Sequence, residues 1–171
     1  MAPSIQPRFR FIFVLIARRF LWVAAFSFWM GGFSFYGGVV ITVGAKVVAG
    51  GESEFGFVTQ QVTYWLNVSG CVALTIFLVD LLADWRVLPR WGRWGLMGIW
   101  MALAMIQISL ICIHPAMDRL LNPENFSISQ RPHFRHLHMA YLILSTFEWG
   151  GSLLFLTGTV WTWSDPHLHF V

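Results

Sequence analysis

Four stretches of the chain stay apolar long enough to cross a membrane: residues 20–45, 62–83, 94–114 and 138–161. A helix needs about 20 mostly apolar residues to span a hydrocarbon core of ~30 Å. The pattern therefore predicts an all-α, four-transmembrane-helix bundle forming a single membrane domain over residues 1–171. The connections are short or polar, except 115–137, whose Pro115, Pro123 and Pro132 predict a structured loop at one end of the bundle. Residues 9–17 (FRFIFVLIA) precede Arg18 and Arg19, and either lie flat at the interface or extend the first helix. The first span is too long for a signal-peptide core and reads as a retained anchor.

Composition agrees with a chain that folds in lipid. Of its residues 57% are hydrophobic and 11% charged, against about 25% charged in soluble domains, and mean hydropathy is +0.64. Basic residues divide unevenly. Arg8, Arg10, Arg18, Arg19, Arg86, Arg90 and Arg93 fall at one end; Lys46, Arg119, Arg131 and Arg135 fall at the other. Seven against four predicts both termini on the cytoplasmic side. Trp85, Trp91, Trp94, Trp161 and Trp163 then belong to that same interface, where an amphipathic ring is well solvated at one edge. The small net charge of +3 offers no nucleic-acid footprint. Cys71 and Cys112 lie inside apolar runs, so a disulfide framework is not expected. The expected partners are the lipid bilayer and, further, other membrane subunits or a second copy of the chain.

In the first span Ser27, Gly31, Ser34, Gly38, Thr42 and Ala45 recur every three or four residues. Such a small-residue face lets helices approach closely. We expect it to be a helix-packing seam, with a dimer interface or a substrate path as the alternatives.

The fourth span carries a second pattern. His138, Tyr141, Ser145, Glu148 and Ser152 also recur every three or four residues, making one polar stripe. Ten residues at 1.5 Å each set Glu148 about 15 Å below His138, near the bilayer centre. A charge there costs at least ~2.5 kcal/mol, so the stripe must face the bundle, and desolvation favours the protonated carboxyl. Asn67, Gln107, Ser34 and Tyr36 are the candidate partners. Two readings stand: a neutral glutamate that holds helices together, or a proton or cation relay.

His114 at the end of the third span and His138 at the start of the fourth fall at the same end, with Cys112, Met117 and Met139 close in sequence. A histidine on each of two facing helices is the arrangement that ligates haem in a bundle. Histidine, cysteine and methionine together suit copper(I). Haem and copper are thus the candidate cofactors. His133, His136, His167 and His169 read as solvated loop and tail residues, and Asp80 and Asp84 as an interfacial salt bridge with Arg86. Asn67 with Ser69 and Asn125 with Ser127 match the glycosylation pattern, the first pair within a span.

Four segments in order, LWVAAFSFWMGGFSFYGGVVI, FGFVTQQVTYWLNVSG (55–70), ICIHPAMDRL (111–120) and FRHLHMAYLILS (134–145), resemble a four-helix integral membrane family. That family includes bacterial membrane proteins and the mammalian transmembrane proteins associated with platinum-drug resistance. The W-x-G-G opening is also similar to that of copper-resistance membrane domains, which sustains a metal reading. The resemblance implies a four-helix fold and no defined chemistry. It departs from the family at Glu148 and His114, where relatives carry apolar residues, and these added groups imply a role of their own.

Three functions follow: an accessory or ligand-binding bundle holding haem or a metal, a small transporter or resistance protein using Glu148, or a structural subunit of a larger complex. No H-E-x-x-H, G-x-S-x-G or P-loop occurs, and no helix carries Glu-x-x-His, so an enzyme is the least expected. The expected setting is a multi-pass place in a membrane, the bacterial inner membrane before a eukaryotic one.

Overall fold

The computed structural model describes residues 6–47, 52–122 and 127–164. They are almost wholly helical: α1 spans Gln6–Phe35, α2 Ile41–Val47, α3 Glu52–Ala83, α4 Arg90–Asp118 and α5 Arg131–Ser164. A short antiparallel pair, β1 (Leu121–Asn122) and β2 (Ser127–Ile128), joins α4 to α5. Four segments are long and apolar enough to cross a membrane: Ile12–Gly44, Thr59–Ala83, Arg90–Asp118 and Arg131–Ser164.

The helices outrun the apolar spans because backbone groups in lipid have no water to bond and must satisfy one another. Residues 9–17 accordingly continue α1 instead of lying apart from it. Likewise α4 does not stop before Pro115 but carries it to Asp118. Proline removes one donor there, yet the Arg119 N–H still reaches Pro115 O at 3.2 Å and closes the turn. Pro132 stands in the first turn of α5, where its missing N–H has no helical partner to lose. The expected 115–137 loop thus shrinks to the β-hairpin and its flanks. Asn125, His167 and His169 lie outside the described residues.

Each helix buries one stripe. On α4 it is Leu96, Leu103, Gln107, Leu110, His114 and Met117; on α5 it is Tyr141, Glu148, Ser152, Phe155 and Thr159. Steps of three, four and seven are the spacing of antiparallel bundle helices. The opposite faces expose Phe13, Phe20, Phe28, Trp65, Met105 and Leu154, an apolar coat that suits lipid and not water.

Helix α1 packs on α3, α3 on α4, and α4 on α5. Helices α1 and α5 meet through aromatic side chains near the chain termini. Trp22 lies 6.2 Å from Phe155 and 5.4 Å from Trp163, and the Arg19 guanidinium sits 5.1 Å from the Trp163 ring. At this terminal end Trp22, Trp29, Phe77, Leu96, Leu103 and Phe155 form one closed apolar cluster. Trp91 is 92% exposed, and Trp94 and Trp161 are also exposed there, as interfacial tryptophans should be.

At the same end Arg18 holds both acidic residues of α3, with Nε 2.6 Å from Asp80 Oδ1 and Nη2 2.6 Å from each Asp84 oxygen. Arg18, and not the nearby Arg86, is their partner, because Arg86 is exposed while α1 brings Arg18 against α3.

The small-residue face of α1 is the clearest departure from expectation. Ser27, Gly31, Ser34, Gly38 and Thr42 are all exposed, and nothing lies within 4 Å of a Cβ built at Gly31 or Gly38. The side chain of Ala45 lies outside the described residues. The intramolecular seam is the adjacent face, carrying Trp22, Trp29 and Gly32, where a Cβ at Gly32 would stand 2.8 Å from Leu66 Cδ2. Burying indole rings in the interior outweighs the closer approach that the glycines would permit.

Candidate functional site

The polar residues of the bundle form two connected sets. Pairings along α4 and α5 fix the antiparallel register: a Cβ at Gly151 would meet Leu103 at 3.0 Å, and one at Gly158 would meet Leu96 at 2.9 Å. Gln107 therefore stands level with Glu148, and His114 with Tyr141. On the other side of α4, the Gln107 Nε2 donates to Asn67 Oδ1 at 3.3 Å. The Tyr141 hydroxyl donates to the same oxygen at 3.1 Å. Gly70, one turn beyond Asn67, leaves the notch into which Gln107 Oε1 packs, with Trp29 Nε1 2.9 Å from where a Cβ would be. All four principal helices thus reach one central layer, through Trp29, Asn67, Gln107 and Glu148.

That layer is short of partners. Glu148 is 0% exposed, and among the described residues neither of its oxygens has a hydrogen-bond partner. Gln107 Oε1, Trp29 Nε1, Ser145 Oγ and Ser152 Oγ are buried without one as well. Native interiors rarely leave polar atoms this way, and a cluster of them calls for an explanation.

The second set surrounds His114. Its Nδ1 lies 3.0 Å from Asp118 Oδ2, one turn along α4. Its Nε2 lies 3.1 Å from Thr63 Oγ1 and 3.2 Å from the Gln60 carbonyl on α3. The Thr63 hydroxyl has three acceptors to choose from: Thr59 O at 2.9 Å, Gln60 O at 3.0 Å and the imidazole. With one ring proton, on Nδ1 toward Asp118, the Thr63 hydroxyl donates to Nε2. With a second proton, Nε2 donates to Gln60 O and Thr63 turns back to Thr59 O. Both arrangements leave every polar atom of the set paired.

Beyond the aromatic contacts α1 and α5 part, and a cavity of about 270 Å³ opens between them toward the β-hairpin end. Its wall includes Thr63, His114, Asp118, Tyr141 and Ser145. On the α1 side it meets Tyr36, which heads a π-helical turn, Tyr36–Val40, closed by the Ile41 N–H donating to Tyr36 O. Wide turns of this kind frequently accompany functional sites. His114 and Asp118 also border a groove between α3 and α4 that contains Tyr64 and Pro115. They form the partition between the two spaces.

Several expected groups are not brought together. His114 has both ring nitrogens within hydrogen-bonding distance of protein groups. Met117 shares the buried stripe of α4 with His114 and lines the same cavity, whereas Cys112 and Met139 are exposed. His138 borders the cavity, is exposed, and stacks on Phe134 with centroids 6.0 Å apart. His133 and His136 are exposed on the first turns of α5, not in a loop. Among the described residues no group of three or more His, Cys, Asp and Glu is placed to hold a metal ion. Ser34 faces away from the polar layer, while Tyr36 lines the cavity.

Three participants escaped sequence reasoning. Asp118 follows His114 by four residues on one helix, a spacing that marks it as a neighbour. Thr63 precedes Asn67 by four on α3, the same signal. Trp29 offers none, since an indole in an apolar run reads as packing. Comparison with known protein families, curated proteins and solved structures finds no match to this chain.

Proposed function

We propose that this protein is a small proton-linked membrane transporter, with the cavity between α1 and α5 as its solute site and Glu148 and His114 as its proton-carrying groups. The carrying observation is Glu148: wholly buried, with neither oxygen partnered, one turn from a cavity-lining serine. A carboxyl serving only to bind helices together would spend its oxygens on donors of its neighbours. This one stays unspent, and an ionisable residue inside a membrane is a functional group by default. The His114 set supports the reading, because its two hydrogen-bond arrangements accommodate both protonation forms. Tyr141, Asn67 and Gln107 bridge the roughly 10 Å, seven residues of helix, between the level of His114 and that of Glu148. The ligand-binding reading of the histidines survives here as a cavity wall rather than as haem or copper ligation. On the distribution of arginines, the hairpin end faces outward, in a bacterial inner membrane.

The test is proton uptake into liposomes that hold the full chain, entrapped pyranine and entrapped monovalent organic and inorganic cations, driven by an imposed inward pH gradient. The wild type is expected to exceed empty liposomes. Glu148→Gln should fall to their level while remaining monodisperse in detergent, and His114→Gln should slow uptake. Equal uptake by Glu148→Gln and wild type would remove the carboxyl from the mechanism.

A further inference from the structure

The walls of the α1–α5 cavity carry a definite chemical preference. Aromatic side chains approach it from three directions: Phe33 on α1 with Tyr36 of the π-helical turn, Phe134 and Trp149 on α5, and Tyr141 from the inner side. Asp118 is its carboxylate, with about a third of its side chain still accessible. Among the described lining residues there is no lysine or arginine. Arg119, Arg131 and Arg135 lie at the same end of the bundle but are exposed and outside this wall. The remaining titratable groups facing the space are His114, His138, Tyr36 and Tyr141.

Aromatic faces present negative charge to whatever lies over them, and they attract cations most strongly where water is scarce. A carboxylate beside them adds a point charge of the same sign. From this charge complementarity we infer that the cavity binds a lipophilic organic cation, a quaternary ammonium with an aromatic or alkyl body. Its charge lies toward Asp118 and its apolar body toward Phe33 and Trp149. A metal ion fits poorly, because the wall has too few ligating groups in one place. An anion would meet no cationic side chain of lysine or arginine.

The assignment rests on the transporter reading and adds to it a reason for exchange. The imidazole of His114 and a bound cation address the same Asp118 carboxylate. Arrival of a cation favours the form of His114 with one ring proton, and the Thr63 hydroxyl then turns to Nε2. Charge is conserved: one cation enters the cavity and one proton passes from His114 to water in the cavity or in the adjoining groove, both of which the His114–Asp118 pair borders.

The experiment is calorimetric titration of the detergent-purified full chain with benzyltrimethylammonium. In parallel, its uncharged carbon isostere neopentylbenzene is tested as a competitor. The cation is expected to bind, and the isostere to compete at least tenfold more weakly, a difference of about 1.4 kcal/mol. Asp118→Asn should weaken cation binding about tenfold. If the isostere competes equally, the cavity accepts any apolar body, a lipid chain included, and the assignment falls. It falls also if the wild type binds no cation. Should Asp118→Asn not fold, the isostere comparison on the wild type decides alone. Cation binding without proton uptake would overturn the transporter reading and leave this one standing; uptake without cation binding would do the reverse.

Discussion

Replacing Glu148 with methionine separates the two roles open to a buried carboxyl. Methionine has nearly the same length and no polar atom needing a partner. Glu148 has two oxygens fully enclosed and unbonded, and a buried polar group left unsatisfied costs about 1–3 kcal/mol. Its neighbours Gln107 Oε1 and Ser152 Oγ, also unpartnered, supply no bond whose loss would offset the gain. Overpacking is the opposing effect, and for a side chain of similar volume it stays below about 1.5 kcal/mol. Glu148→Met is therefore expected to raise the stability of the bundle by about 1–3 kcal/mol while abolishing proton uptake. Unfolding in mixed micelles titrated with SDS, followed by far-UV circular dichroism, measures the first effect. A variant destabilised by more than about 1 kcal/mol would refute the reasoning, because it would show the carboxyl making bonds that hold the helices together.

Two further outcomes follow from the packing. Gly70→Ala drives a methyl group into Gln107 Oε1 and against Trp29 Nε1 and should cost about 1–3 kcal/mol. Gly31→Ala, with open space around it, should change stability by less than about 0.5 kcal/mol; the same SDS titration compares them. At the terminal end, Arg18→Met leaves Asp80 buried without its cation and should cost about 2–4 kcal/mol, somewhat below a fully buried pair because Arg18 is partly exposed. The double variant with Asp80→Asn should recover part of that loss, and a thermodynamic cycle of the two changes reads their coupling.

Length and spacing made most of the architecture legible. Twenty apolar residues demand a span whatever their order, and the stripe from Tyr141 to Ser152 could only be inward-facing once Glu148 belonged to it. Spacing tells which residues share a face, but not which partner that face meets. Hence Ser27, Gly31 and Ser34 share one face, as their spacing predicts, but that face is not the one packed within the bundle. Arg18 pairs with residues more than sixty positions away, a contact that no local pattern encodes. Among the described residues the metal reading gains no ligand cluster, for a related reason. Cys112 and His114 are two positions apart in sequence, yet two residues of helix turn their side chains about 200° apart. The cavity itself was invisible, since it arises where α1 and α5 diverge beyond Trp22 and Phe155.

The closed aromatic end has an electrical consequence. A membrane potential drops mainly across material that excludes water and mobile charge. Here that is the block from Trp22 to Leu103, while the hairpin half holds a cavity walled in part by polar groups. Glu148 stands at the boundary between the two. In the proposed mechanism a proton reaching it from the cavity would do little electrical work, whereas one leaving past the aromatic block would traverse most of the field, worth about 2.3 kcal/mol per 100 mV.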